Sequence, residues 1–154
     1  MKQVVYDTHT FVRGLIDPRE PYINLFRLPA EWRLCVSDVI LREALEVLVS
    51  PAGLVGRFFG LSEISLAEAY RRVSRGEVYP VPADIEIEIC EDPQDNKFLA
   101  SALAMDCEYL VSQIPELLEL ERNREWLAFK QTNSVRVEVV DVQTFMGILS
   151  GLPQ

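Results

Sequence analysis

The sequence is short of positive charge, of histidine and of long apolar runs. It holds 15 Lys and Arg against 24 Asp and Glu, which gives a net charge of −9, and it has one His. This balance argues against a non-specific nucleic-acid binder, which would carry a large basic surface. The net charge does not exclude a local basic patch. The uncharged apolar runs are too short for a membrane span, and the first residues do not form a signal peptide, so we expect a protein without a membrane anchor.

Cysteine is also scarce. The three residues, Cys35, Cys90 and Cys107, are odd in number and include no CxxC pair. Thiols in this pattern favour neither a disulfide framework nor a metal site. We therefore predict reduced thiols, in or near the core, in a cytoplasmic protein.

What the sequence does have is a composition typical of a folded domain. Hydrophobic residues make up 49% of the 154 residues and charged residues 25%. This excludes disorder as a description of the whole chain. With no internal repeat or low-complexity tract, the length predicts a single domain over residues 1–154.

Short β-rich runs alternate with helical segments along the chain. We predict strands at residues 4–6, 33–36, 77–81, 109–112 and 135–140. We predict helices at residues 8–16, 22–28, 38–49, 61–74, 92–106, 116–121 and 142–149, and a further helical piece from Pro51. Gly76 is expected to end the fourth of these helices, and the polar residues 121–125 are expected to form an exposed loop or helix end. This alternation predicts an α/β fold with a mainly parallel, helix-flanked sheet.

Carboxylates stand at three separate places where a strand meets a helix or a helix begins. Asp7 follows the first strand, Glu43 lies in the helix after the second, and Asp92 and Asp95 open a later helix. Ligands of an open parallel sheet bind outside the carboxyl ends of its strands. Carboxylates that meet there are the ligands that Mg²⁺ or Mn²⁺ prefers.

Asp7 and Glu43 each have an ordinary structural explanation as well. Asp7 can cap the next helix, and this alternative is as good as a functional one. Glu43 lies at the edge of the apolar face of its helix, whereas Glu46 points away from that face. A carboxylate at such an edge can reach a cleft, but it can equally be a surface residue.

The segment Asp92-Pro93-Gln94-Asp95 is the strongest of the three signals. As a helix start it places Asp92 at the N-cap, Pro93 at the first position and Asp95 near the positive end of the helix dipole. Asp95, however, shares a helical face with the apolar residues Phe98, Leu99 and Ala102. A charge on a buried face needs a partner. A metal ion, Lys97 or an Arg would supply one.

In order and spacing these segments resemble the PIN-domain family, in the branch of toxin components of toxin–antitoxin systems. The resemblance rests on Asp7-Thr8-His9 after a strand, on residues 37–43 at a helix start, and on Asp92-Pro93-Gln94-Asp95-Asn96-Lys97-Phe98-Leu99 before the strand at 109–112. It implies a three-layer α/β/α fold and a ribonuclease that depends on Mg²⁺ or Mn²⁺. By position, Asp7, Glu43 and Asp95 match the metal-site acids of the family, and Asp92 matches an accessory acid.

Two positions depart from the family pattern. His9 stands where Asn is usual, and Ile114 stands where a fourth acid is expected after the fourth strand. Glu116 aligns with a second, less constant acid two residues further on. Ile114 cannot bind a metal, so the resemblance implies one ion more firmly than two. His9 can contact metal or phosphate, although a structural role is the commoner one for a single His beside an acid.

The resemblance also implies partners. These are an RNA substrate, a cognate antitoxin that inserts a peptide into the acidic cleft, and a second copy of the chain. Arg13 and Arg42 lie near the proposed acids, while Arg71, Arg72 and Arg75 form a denser group, for which a solvated helix face is the better explanation.

Two alternative functions stay open at this point. The first is a PIN fold that has lost catalysis and binds RNA or protein, which His9, Gln113 and Ile114 favour. The second is a phosphoacceptor signalling domain, but the acidic pair after the first strand and the late Lys that it needs are not found.

Overall fold

The computed structural model describes residues 1–49, 79–81 and 85–151. Its centre is a parallel sheet of five strands in the order β3-β2-β1-β4-β5. The strands are β1 (Lys2–Tyr6), β2 (Trp32–Ser37), β3 (Tyr79–Val81), β4 (Tyr109–Val111) and β5 (Glu138–Val140). The first strand of the chain is therefore the middle of the sheet, and its carboxyl end opens onto the centre of one edge.

Helices cover the sheet on both faces. Successive residues of a strand point to opposite faces, and Val4, Val5 and Tyr6 of β1 are all fully buried. The helices in the described residues are α1 (Thr8–Ile16), α2 (Asp38–Val49), α3 (Asn96–Ala104), α4 (Pro115–Leu118), α5 (Arg124–Asn133) and α6 (Val142–Leu149). Three 3₁₀ turns, Tyr22–Phe26, Pro93–Asp95 and Glu119–Arg122, complete the described elements. The architecture is the predicted α/β fold with a parallel, helix-flanked sheet.

Several predicted elements differ from the structure in detail. Helices α1 and α6 have the predicted bounds, but the helix predicted at 22–28 is a shorter 3₁₀ turn. The helix predicted at 92–106 begins as a 3₁₀ turn and ends at Ala104, and the strand predicted at 135–140 is confined to Glu138–Val140. The predicted helices from Pro51 and at 61–74, with the stop at Gly76, lie outside the described residues.

Helix α5 was not predicted at all. The segment 121–125 is a helix end, as expected, but a new helix begins directly after Asn123, whose side chain accepts a hydrogen bond from the Trp126 backbone nitrogen at 3.0 Å. Trp126 is the one buried residue of this helix, and its ring stacks on that of Phe129. A helix with a single buried side chain has no apolar periodicity for a sequence pattern to detect.

The three cysteines are free thiols in or near the core, as the sequence predicted. All three cysteines are free, with Cys35 and Cys107 buried and Cys90 partly buried. Among the described residues, none of the helices combines the length and the apolar character needed to cross a membrane.

Candidate active site

Asp7 lies at the carboxyl end of β1 and is completely buried. It caps α1, because its Oδ1 accepts a hydrogen bond from the Thr10 backbone nitrogen at 2.8 Å. The hydroxyl of Ser112, just past β4, donates to its Oδ2 and so joins the ends of two neighbouring strands. Burial raises the pKa of Asp7, and these hydrogen bonds offset part of that rise. Asp7 therefore performs the predicted cap while standing at the predicted edge of the sheet.

Glu43 is half-buried on α2, at the border of the apolar face. Ile40, Ala44 and Leu48 of that face are buried, and Glu46 is exposed, as the helical spacing predicts. The ammonium group of Lys97, on α3, contacts the Glu43 carboxylate directly. Burial works to raise the pKa of Glu43, but Lys97, Thr8 and His9 outweigh it and lower the pKa. In the metal-free protein Glu43 is thus an ionised carboxylate that already has a cation.

Asp95 is 8% exposed, on the face shared with Phe98, Leu99 and Ala102, which confirms its predicted burial. Its pKa is raised to about 6 by burial, by the charges of Asp92 and Glu116, and by a hydrogen bond that its protonated form shares with Glu116. Asp92 caps the 3₁₀ turn before α3, since its Oδ1 accepts from the Gln94 nitrogen at 3.0 Å. Its own backbone nitrogen donates to Glu116 at 2.8 Å. Glu116 is therefore part of this acidic group, as the alignment with a less constant acid implied.

The negative potential of this group is also felt by a neighbouring thiol. The pKa of Cys90 is raised to about 12 by burial and then by the charges of Asp95, Glu116 and Asp92. Carboxylates that repel one another in this way favour a bound cation or a proton.

Two side chains, His9 and Lys97, lie between the three acids that the sequence singled out. His9 lies close enough to both Asp7 and Glu43 to favour their ionised forms. Lys97 contacts Glu43 and also favours the ionised form of Asp95. His9 thus links Asp7 with Glu43, and Lys97 links Glu43 with Asp95, near the carboxyl edge of the sheet.

Ile114, which stands where the family pattern has an acid, lies close to this edge and lines a cleft there. It is half-buried, and its backbone nitrogen donates to Ser112 Oγ at 2.9 Å, the same hydroxyl that donates to Asp7. Its side chain lines a cleft of about 350 Å³, which we call the Asp7 cleft. The residues that line it are Asp7, His9, Thr10, Arg13, Gln113, Ile114 and Pro115.

The donor set fits a divalent cation by its chemistry. The candidate ligands are carboxylate oxygens, which Mg²⁺ and Mn²⁺ prefer. Around Asp95, the charges of Asp92 and Glu116 add to a negative potential that a cation would neutralise. In the metal-free arrangement, residues 1–49, 79–81 and 85–151 contain no group of three or more His, Cys, Asp or Glu that could hold an ion. Asp7 is engaged by Ser112 and Glu43 by Lys97. Closing the acids around an ion therefore requires that side chains move, above all Lys97.

Sequence comparison identifies the family. The PIN-domain family model matches residues 3–113, well over half of the chain, and the matched stretch includes Asp7, Glu43, Asp92 and Asp95. The chain therefore belongs to the PIN-domain family, whose members are in general nucleases. No curated protein and no solved structure matches it significantly. Membership assigns the chain to a class that acts on nucleic acids and typically uses divalent metal ions.

The sequence reasoning missed two contacts that shape this site. Lys97 was considered as a partner of Asp95, but its ammonium group contacts Glu43, 54 residues earlier in the chain. Ser112 was seen only as the end of a strand, yet its hydroxyl donates to Asp7 across 105 residues. Arg13 lines the Asp7 cleft and Arg42 is exposed on α2, whereas Arg71, Arg72 and Arg75 lie outside the described residues.

Proposed function

We propose that this chain is an endoribonuclease that depends on Mg²⁺ or Mn²⁺ and that it is the toxin half of a toxin–antitoxin pair. Asp7, Glu43 and Asp95 are the proposed metal ligands and catalytic acids, and Asp92 and Glu116 are accessory acids. The observation that carries the proposal is the group of carboxylates at the carboxyl edge of the sheet, where burial and then repulsion by Asp92 and Glu116 raise the pKa of Asp95 to about 6. Such a group is costly without a cation and favourable with one.

Each residue has a role that follows from its surroundings. Asp7 is fixed by Ser112 and by the α1 backbone, so it is a rigid ligand. Asp95 lies beside Glu116, and a bound cation would favour its ionised form. The bound ion would activate a water molecule and stabilise charge on the scissile phosphate. Glu43 completes the group once Lys97 moves away from it.

The proposed partners follow from the same function. We expect an RNA substrate, a cognate antitoxin whose basic peptide fits the acidic edge, a homodimer, and a cytoplasmic location. The chain's net charge of −9 is complementary to a basic partner.

A second candidate function is a PIN domain that binds RNA or protein without cleaving it. It is favoured by Ile114 at the position of a fourth acid, by the complete burial of Asp7, and by the contact of Lys97 with Glu43. These features weaken a two-ion site most of all.

RNA cleavage decides between the two candidates. The chelated protein, incubated with total RNA and then supplied with Mn²⁺, is expected to generate new RNA ends at a restricted set of sites, mapped by sequencing. The Asp95→Asn protein is the matched control and is expected to generate none. Equal cleavage by the two proteins would rule out the proposed site, and absence of cleavage by both would favour the binding function.

Lys97→Met tests the competition between Lys97 and the metal. Methionine keeps the aliphatic stem but removes the ammonium group that contacts Glu43. We expect the variant to bind Mn²⁺ several-fold more tightly, because the ion no longer displaces a cation, and to be less stable without metal. Calorimetric titration and thermal unfolding measure the two effects.

Lys130→Met is the matched control for Lys97→Met. Lys130 also pairs with a carboxylate, that of Glu121 at 3.3 Å, and also lies over an aromatic ring, but on α5. Its loss is expected to leave Mn²⁺ affinity unchanged. Weaker Mn²⁺ binding by Lys97→Met would contradict the competition and indicate that Lys97 helps to assemble the site.

A further inference from the structure

The Asp7 cleft has the size and lining of a small-ligand site. Its volume of about 350 Å³ lies within the range of pockets that enclose small molecules. Ile114 and Pro115 form an apolar part of its wall, and Gln113 and Arg13 add polar groups. An apolar wall with a few directed polar groups is suited to a flat, aromatic ligand that carries hydrogen-bonding edges.

The charge of the Asp7 cleft suits a nucleic acid better than the charge of two other clefts formed by described residues does. The Asp7 cleft has Arg13 and His9 in its lining, and its one acid, Asp7, is fully buried. A second cleft is lined by Glu86, Glu88 and Lys97, and a third by Glu91, Glu116, Glu119 and Arg122. Of these three clefts, the Asp7 cleft has the least negative lining, so a polyanion meets least repulsion there.

Arg13 is held in a fixed position at the cleft. Its guanidinium group donates to Asp17 at 3.1 Å and to the Tyr22 hydroxyl at 2.7 Å, and it lies over the Tyr22 ring. A planar guanidinium that is already ordered loses little entropy when a base or phosphate contacts it. Proteins use such planes to stack unpaired RNA bases.

One polar group in the lining is suited to a base edge. Gln113 is exposed, and because its Oε1 accepts from the Val142 nitrogen at 3.2 Å, its side-chain nitrogen is oriented as a donor. The Thr10 hydroxyl, which also lines the cleft, is buried beside Asp7 and lies close to its carboxylate.

We infer that the Asp7 cleft binds the unpaired base of the RNA nucleotide next to the scissile phosphate, with Ile114 as its apolar wall. This inference rests on the proposed function, because the nucleotide is placed by the acids beside the cleft. It gives Ile114 a role in substrate binding at a position where the family pattern has an acid. It also requires an unpaired nucleotide, since a base held against the wall of the cleft can be neither paired nor stacked in a helix.

The test is a nuclear magnetic resonance titration in chelator, without metal. The probes are uridine 5′-monophosphate, adenosine 5′-monophosphate and, as a ligand without a base, ribose 5-phosphate. We expect a nucleotide to shift the Ile114 methyl and Gln113 side-chain amide signals in a saturable way, and ribose 5-phosphate to shift them much less. Equal shifts with ribose 5-phosphate would overturn the inference, because the cleft would then recognise phosphate alone.

Two variants separate binding from folding. Ile114→Ala is expected to weaken nucleotide binding about fivefold or more, the lower end of what a lost base contact costs. Leu118→Ala is the matched control, because Leu118 is also half-buried against the core but does not line the cleft. Unchanged nucleotide binding by Ile114→Ala would overturn the inference.

The titration also distinguishes failure of the inference from failure of the proposed function. A protein that cleaves RNA with Mn²⁺ but shows no nucleotide-dependent shift would overturn the base site and leave the nuclease intact. Nucleotide binding by a protein that neither binds Mn²⁺ nor cleaves RNA would support the base site and overturn the proposed catalysis.

Discussion

Asp95→Asn is expected to abolish Mn²⁺ binding and RNA cleavage while making the metal-free protein more stable at neutral pH. Burial of the Asp95 carboxylate, and then the charges of Asp92 and Glu116 beside it, raise its pKa to about 6. Asparagine removes the repelled charge, keeps the shape of the side chain and can donate a hydrogen bond to Glu116. Because the same charge is the one that a divalent ion needs, stability and metal binding are expected to change in opposite directions.

The gain in stability has a defined pH dependence. The pKa of Asp95 is higher in the folded protein than its usual value of 3.8, so the folded state holds the proton more tightly than the unfolded chain. Its contribution to stability is complete below about pH 4 and is lost as the pH rises through about 6. The difference between Asp95→Asn and wild type should therefore be absent near pH 3.5 and reach its maximum above pH 7. We expect about 1–2 kcal/mol, which is less than the full shift would give, because Asp92 and Glu116 are partly solvated.

Asp106→Asn is a suitable control for Asp95→Asn. Asp106 precedes β4, away from the carboxyl edge, and is an exposed acid that pairs with Arg136 at 3.1 Å. Its backbone φ of 50° is one that Asn tolerates, so the substitution introduces no strain. Chemical denaturation across the pH range, with chelator present, measures all three proteins. Equal pH profiles for Asp95→Asn and wild type would show that burial and the neighbouring acids do not raise the pKa of Asp95 as described.

Ile114→Asp is expected to bind Mn²⁺ about tenfold more tightly than wild type, a change of about 1.4 kcal/mol. Ile114 lines the same cleft as Asp7, and both are connected through Ser112 Oγ. That contact uses the backbone nitrogen of Ile114, which the substitution retains. A carboxylate at this position adds a second hard carboxylate ligand to the cleft beside Asp7. The same substitution should weaken nucleotide binding in the Asp7 cleft.

Ile114→Asn is the control for Ile114→Asp, because it has nearly the same size and polarity but no charge. Calorimetric titration with Mn²⁺ compares the two variants with wild type. If the Asp variant bound Mn²⁺ no more tightly than the Asn variant, the Asp7 cleft would not be part of the acidic site, and Ile114 would be no substitute for a fourth acid.

Local signals in the sequence predicted the fold of this protein and most of its helices and strands. Helix α1 is bounded by a cap at Asp7 and by Pro18, both of which are readable from neighbouring residues. Glu43 and Asp95 were placed correctly by helical spacing, one at the border of a buried face and one within it. Helix α5 escaped prediction because its single buried residue, Trp126, leaves no pattern.

The contacts that define the site could not be read in the same way. Lys97 reaches Glu43 across two helices, and Ser112 reaches Asp7 across two strands, so both contacts depend on how the elements pack. Ile114 was interpreted only as a missing acid, since an apolar residue beside a strand end carries no sign of a cleft. The metal site of Asp7, Glu43 and Asp95 stays a prediction, and the structure adds that Ser112 contacts Asp7 and Lys97 contacts Glu43.

The most direct test of the central claim is a Mn²⁺ titration followed by electron paramagnetic resonance, on wild type and Asp95→Asn side by side. It needs no knowledge of the RNA target. The account predicts saturable loss of the free Mn²⁺ signal with wild type, and no loss with Asp95→Asn beyond that seen without protein. Absence of binding by wild type at millimolar Mn²⁺ would contradict the account and favour a PIN domain that acts by binding alone.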